Sequence, residues 1–184
     1  EVDEEANCSP IGIYGALKYA AEKIIIAYNQ VFDLNYTIIR PSALYGERCI
    51  SRRVGQIFIE NALFGKKISI NGMGEEKLDF TYILDLIQGI SKSIANEKAY
   101  NQIFNITYGE GREILKLIEI IKNNFSNIEV EFKERSKLVP VRGTLSNSKS
   151  KDLLGYKSEW PLEKGYQQYI NWYKDFFDKK INVS

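Results

Sequence analysis

The 184-residue chain contains no histidine. That absence excludes, within this sequence, a Ser-His-Asp triad, a Cys-His dyad and a histidine-ligated zinc. Any acid/base chemistry falls to Tyr, Lys, Asp or Glu. Cysteine is scarce: Cys8 and Cys49 are the only two, and their spacing matches no metal-binding pattern. Free or buried thiols in a reducing, cytoplasmic setting are expected. No apolar run approaches the roughly 18 residues that cross a bilayer. The opening EVDEEANC is acidic, without the basic and apolar regions of a signal peptide. The net charge of +1 gives no reason to expect a nucleic-acid or membrane-surface partner. A glycine-rich turn that seats a nucleotide phosphate between strand and helix is also missing. NGMGEE (71–76) joins strand to strand-like sequence, and YGEGRE (108–113) has only two glycines before a helix.

What is present is an ordinary globular composition, 44% apolar and 27% charged. The stretch YGALKYAAEKIIIAYNQVF opens a long amphipathic helix with Tyr14 and Lys18 one turn apart. An ammonium beside a phenol favours the phenolate, which suits the tyrosine to acid/base work. With 12 tyrosines and 18 lysines in the chain, chance supplies about one Tyr-x-x-x-Lys. A second pair, Tyr19/Lys23, points roughly 140° away around the helix. Spacing alone does not choose between them.

The remaining chain alternates strand and helix, which predicts an α/β fold. Residues 1–10 read as an irregular lead-in. The helix runs to about Asp33 with an apolar surface broad enough to pack on two sides. YTIIR (36–40) reads as a buried strand stopped by Pro41. Ser51 is expected to cap a helix from about Arg52 to Phe64, before Gly65. KISI (67–70) and LDFTYI (78–83) read as strands. Asp85 to Ala95 reads as a helix with Leu86, Ile87, Ile90 and Ile94 on its inner face. QIFNIT (102–107) is a strand, 112–124 a helix, NIEVEF (127–132) an edge strand, and 147–154 and 162–178 are helices. Arg48, Arg52 and Arg53 crowd the start of the 52–64 helix, as a solvated helix start or a phosphate-facing cluster; positive charge there is mildly unfavourable, which tips the balance slightly toward a ligand role.

The ordered pieces YGALKYAAEK (14–23), IIRPSALYGE (38–47), INGMGEEKLDFTYILDL (70–86), FNITYG (104–109), VPVRGTL (139–145) and LLGYKSEWPLEKGYQQYINWY (153–173) resemble the extended short-chain dehydrogenase/reductase family. More closely, they resemble its nucleotide-sugar epimerases and dehydratases. The resemblance covers nearly the whole chain but only the second half of the family pattern. It implies the trailing part of a Rossmann-like doubly wound sheet plus a small α/β substrate-binding subdomain. Residues 1–46 and 83–107 would belong to the NAD-binding domain, and 47–82 and 108–184 to the nucleotide-sugar subdomain.

The resemblance also implies roles. Tyr14 is similar to the family's acid/base tyrosine, which exchanges a proton with the sugar 4-hydroxyl. Lys18 would lower its pKa and hydrogen-bond the nicotinamide ribose. Tyr14, Lys18, Pro41 and Ser42 would border the cofactor. Ala43, Arg53, Lys77 and Arg142 would contact the substrate, the cations through its diphosphate. Ala43 stands where the family often has asparagine, and Leu78 where it usually has arginine, so Lys77 or Arg53 would substitute. The expected activity is that of the C-terminal portion of an NAD-dependent 4-epimerase acting on a UDP-sugar, with a homodimer in the complete enzyme and no metal. A 4,6-dehydratase, or an inactive piece serving as a binding or assembly module, are the alternatives. The family's glycine-rich turn and catalytic Ser or Thr precede the tyrosine helix, so this chain alone is not expected to hold NAD or turn over substrate.

Overall fold

The computed structural model describes residues 1–134 and 143–181, with side chains to residue 178. The chain begins with α1 (Gly12–Phe32) and β1 (Thr37–Arg40), then α2 (Val54–Leu63), β2 (Ile68–Asn71) and β3 (Lys77–Asp79). It continues with α3 (Ile83–Ser93), β4 (Gln102–Asn105), β5 (Gly111–Glu113), α4 (Ile114–Lys122) and β6 (Val130–Lys133). Two helices close it, α5 (Ser148–Leu154) and α6 (Leu162–Ile181). No helix of the described residues is long and apolar enough to cross a membrane.

The β-branched run at 37–39 forms a strand because such side chains fit a pleated, half-buried surface. β1 pairs in parallel with β4, Thr37 opposite Gln102 through Arg40 opposite Asn105. Parallel strands need a crossover, and α3 lies within this one. β2 and β6 make a second parallel pair, Ile68 opposite Val130, with α4 in its crossover. β3 and β5 pair antiparallel. The α/β architecture expected from the sequence is therefore present.

Two apolar clusters organise it. In the larger, α2, α4 and α6 enclose β2 through Phe58, Ile68, Leu117, Ile121, Tyr166 and Ile170. In the smaller, Leu86, Ala99, Phe104, Ile106, Leu154 and Tyr156 join α3, β4 and α5. The helix α5 and Tyr156 thus pack beside α3 and β4.

Several expectations are corrected. The Ser51 cap is absent: α2 begins after Arg53, with no side-chain cap. The inner face of α3 is Asp85, Leu86, Gly89 and Ser93, while Ile87, Ile90 and Ile94 are exposed. The reason is close packing. A Cβ on Gly89 would lie 2.4 Å from Ile106 Cγ2, so small residues face the strand. Asp85 is inside because its carboxylate accepts the Glu159 and Trp160 amides at 2.9 and 3.2 Å. LDFTYI is a strand only to Asp79. The acidic lead-in is used: Glu4 is buried and its carboxylate accepts the Asn105 amide at 2.7 Å.

The helix α1 buries none of its residues. Its apolar positions Leu17, Ile24, Tyr28 and Val31 are all exposed. The two-sided packing expected of it is not formed among the described residues. Polar ties hold it instead, through Arg40 to Glu22 and Asn29 to Asn101.

Candidate functional site

A cavity of about 540 Å³ lies between the start of α1, the β1–α2 loop, β2, β3, α4 and α6. That volume is within the ~300–1,000 Å³ of small-molecule sites. Its rear wall is apolar, made by Phe58, Ile70, Leu78, Phe80, Leu117 and Tyr166. These residues belong to the larger apolar core. The cavity's polar lining comprises Tyr14 of α1, Ser51, Arg52 and Arg53 of the β1–α2 segment, Ser69 and Asn71 of β2, and Glu76 just before β3.

Tyr14, Ala43 and Arg53, singled out from the sequence, all line this cavity. Tyr14 is 72% exposed at the rim. The Lys18 ammonium is 5.8 Å from the Tyr14 ring centroid. Lys18 and Pro41 are exposed and Ser42 is half-buried; all three are off the cavity wall, Pro41 and Ser42 preceding Ala43 in the loop after β1. Lys77 is exposed on β3 and also off the wall, while its neighbour Leu78 is on it. Arg142 lies outside the described residues. Tyr19, under the Lys23 ammonium at 4.9 Å, is not on the wall.

Three tyrosines line the cavity, and their surroundings separate them. Tyr45 is 5% exposed and Tyr166 fully buried. Burial pushes both hydroxyls above the usual phenol range, Tyr45 with added repulsion from Tyr82 and Asp85, Tyr166 with that from Tyr45 and Tyr173. The Tyr166 hydroxyl donates to the Gly55 carbonyl at 2.8 Å. Both stay neutral at physiological pH and serve packing. Tyr14 is the one of the three reached by solvent and by a lysine one turn away.

The positive rim has a local cause. Arg53 ends the loop in extended backbone, φ −80° and ψ 164°, and α2 starts at the next residue. The first turn of α2 carries no acidic side chain. The start of α2 and two arginines thus bring positive charge to the cavity lining, which suits an anionic ligand. Arg52 has φ 45° and makes a long 3.4 Å ion pair with Glu60.

Ser69 and Asn71 were not singled out from the sequence. Strand alternation would not have found them, because Ile70, between them on β2, lines the cavity as well. No group of histidine, cysteine or acidic residues that could hold a metal occurs among the described residues.

The profile of the NAD dependent epimerase/dehydratase family matches residues 1–107. The chain superposes with a TM-score of 0.90 on the UDP-glucuronic acid 4-epimerase of Bacillus cereus in complex with UDP-glucuronic acid and NAD. Identity there is 25%, covering 95% of this chain and 56% of that one. The UDP-glucose 4-epimerase of Thermotoga maritima with UDP-glucose gives a TM-score of 0.89 at 26% identity, covering 96% of this chain and 58% of that one. The dTDP-D-glucose 4,6-dehydratase of Homo sapiens is 26% identical over 190 residues, covering 100% of this chain and 54% of the other. The chain spans about half the length of the curated relatives it matches. It belongs to the NAD dependent epimerase/dehydratase family.

Proposed function

We propose that this chain carries the substrate-binding and acid/base part of an NAD-dependent UDP-sugar 4-epimerase. The observation that carries the reading is that Tyr14 and Arg53, from different elements, line one cavity with an apolar rear wall. The wall of Leu78, Phe80 and Leu117 suits the flat faces of a pyrimidine. Arg53 and Arg52, at the start of α2, suit the diphosphate through charge-assisted hydrogen bonds. The sugar then lies toward Tyr14, whose phenol exchanges a proton with the 4-hydroxyl.

At the nicotinamide end of NAD, Lys18 and Tyr14 would meet the ribose, and Pro41 and Ser42, which precede the cavity-lining Ala43, would border it. A glycine-rich phosphate cradle at a helix N-terminus is not formed among the described residues. Bound NAD supplies a reversible hydride acceptor for the sugar C4. The protein's own contribution is to hold the diphosphate, orient C4 and move the hydroxyl proton at Tyr14 Oη. A 4,6-dehydratase would use the same Tyr14/Lys18 pair, and a dehydratase is among the relatives.

Titration of the purified protein with UDP-glucose and UDP-glucuronic acid, with and without NAD, tests the reading. Binding of either UDP-sugar supports it, and failure of both to bind overturns it. The product formed with NAD by the complete enzyme separates the two chemistries: inversion at C4 for an epimerase, a 4-keto-6-deoxy sugar for a dehydratase.

A further inference from the structure

Between β1 and α2 the chain crosses the cavity rim with uneven support. Its stem is fixed. The Tyr45 amide donates to the Thr81 carbonyl at 3.0 Å, and the Ile83 amide to the Tyr45 carbonyl at 2.9 Å. The Tyr82 hydroxyl donates to the Glu47 carboxylate at 2.5 Å. Gly46, with φ 140°, has Ile83 Cγ2 2.4 Å from where a Cβ would sit, so the stem admits only glycine there.

Beyond Glu47 the support stops. Among the described residues, no backbone hydrogen bond from outside the segment reaches residues 48–52. Arg48 and Arg52 both have left-handed backbone, φ 62° and 45°, a strained conformation for side chains of this kind. Ile50, at the tip, is 94% exposed. Cys49 alone turns inward, half-buried against the larger core. Arg52 reaches Glu60 at 3.4 Å, but Glu60 Oε1 already accepts the Gln56 amide at 2.8 Å and the Tyr173 hydroxyl at 3.1 Å. The long Arg52 contact is therefore the weakest of the three on that carboxylate.

Few bonds hold this strained conformation, so a ligand that offers better ones shifts it. We propose that residues 48–53 form a lid over the cavity. Its trigger is Arg52, which exchanges the Glu60 contact for the diphosphate of a bound UDP-sugar. Its closing surface is Ile50, which folds from solvent onto the cavity mouth. A charge-assisted guanidinium–phosphate pair is stronger than an exposed ion pair at this distance. Burying Ile50 adds apolar contact. Closure excludes water from the sugar C4, the service that active-site loops give to reactive intermediates. The lid rests on the UDP-sugar reading of the cavity and adds to it a moving part.

Trypsin reads the lid directly, because Arg48, Arg52 and Arg53 are exposed cleavage sites with no proline after them. Arg52 and Arg53 line the cavity and a ligand shields them by contact. Arg48 is off the wall, so its protection reports closure. Cleavage is followed by mass spectrometry on the intact chain, with UDP-glucose binding measured in the same samples and Lys66 as the reference site. Saturating UDP-glucose is expected to slow cleavage at Arg48 by about tenfold relative to Lys66, since cutting tracks the open population. The I50S variant is expected to bind UDP-glucose but lose that protection. Binding with protection confined to Arg52 and Arg53, or with none, overturns the lid and leaves the UDP-sugar site standing. Wild-type protection in I50S overturns the role of Ile50. No UDP-glucose binding at all overturns both lid and site.

Discussion

Arg40 grips Glu22 with two parallel hydrogen bonds, Nε to Oε1 at 2.9 Å and Nη2 to Oε2 at 2.7 Å. Both side chains are largely shielded, at 20% and 18% exposure. The hydrogen bond to Glu22, opposed by burial and helped by its charge, raises the guanidinium above its ordinary pKa. Since α1 buries no residue, this pair is a main tie between the tyrosine helix and β1.

Replacing Glu22 by Gln therefore loosens α1 out of proportion to its size. A loss of about 1–3 kcal/mol is expected. Urea unfolding gives the total, and amide exchange is expected to speed up most within Gly12–Phe32. Unchanged exchange in α1 would show that other contacts hold the helix.

Gly89→Ala tests why α3 presents small residues inward. The added methyl meets Ile106 Cγ2 at 2.4 Å and Cδ1 at 2.9 Å. Overpacking of this kind costs about 1–3 kcal/mol, against the helix-propensity gain of up to ~1 kcal/mol for leaving glycine. A net loss in thermal midpoint is expected. A gain would mean that α3 moves away from β4 at little cost.

Asp79 is fully buried. Its carboxylate accepts the Gly109 amide at 3.0 Å and the Leu145 amide at 3.4 Å. Burial pushes its pKa above 3.8, and the hydrogen bonds only partly offset that. The folded protein then holds this proton more tightly than the unfolded chain. The resulting stabilisation is complete below about 3.8 and is lost as pH rises through the folded value. Asp79→Asn cannot titrate, so its stability deficit relative to the natural chain is expected to be larger at pH 4 than at pH 7. Denaturation midpoints at the two pH values decide it, and a deficit that grows toward pH 7 would reverse the sign.

Much of this architecture is legible in the residues. TIIR and QIFNIT announce β1 and β4 by composition, and Gly155, with φ 63°, ends α5 where the sequence places it. The face of α3 is not legible, because hydrophobicity alone put Ile87, Ile90 and Ile94 inside. The deciding facts are the Gly89–Ile106 approach and the Asp85 hydrogen bonds, both contacts with distant segments. β5 is hidden for the same reason, since Gly111–Glu113 is a strand only by pairing with β3. At the site, Tyr14 and Arg53 could be named from motif and charge. That they share a cavity, and Tyr19 does not, is a matter of tertiary structure.

Tyr14→Phe removes the hydroxyl at the cavity rim and keeps the ring. In the complete enzyme, with NAD and UDP-glucose, turnover is expected to fall by about 10²–10⁴-fold with the thermal midpoint unchanged. Tyr19→Phe is expected to leave turnover near the natural level. Equal losses from both would refute the assignment of Tyr14.

The most direct measurement is calorimetric titration of UDP-glucose into the natural chain, Arg53→Ala and Lys66→Ala. Lys66 is an exposed cation outside the cavity, so it controls for net charge. The account predicts one site per chain, weakened about tenfold by Arg53→Ala and unaffected by Lys66→Ala. Absent binding, or equal affinity in all three proteins, would contradict a nucleotide-sugar site beside Tyr14.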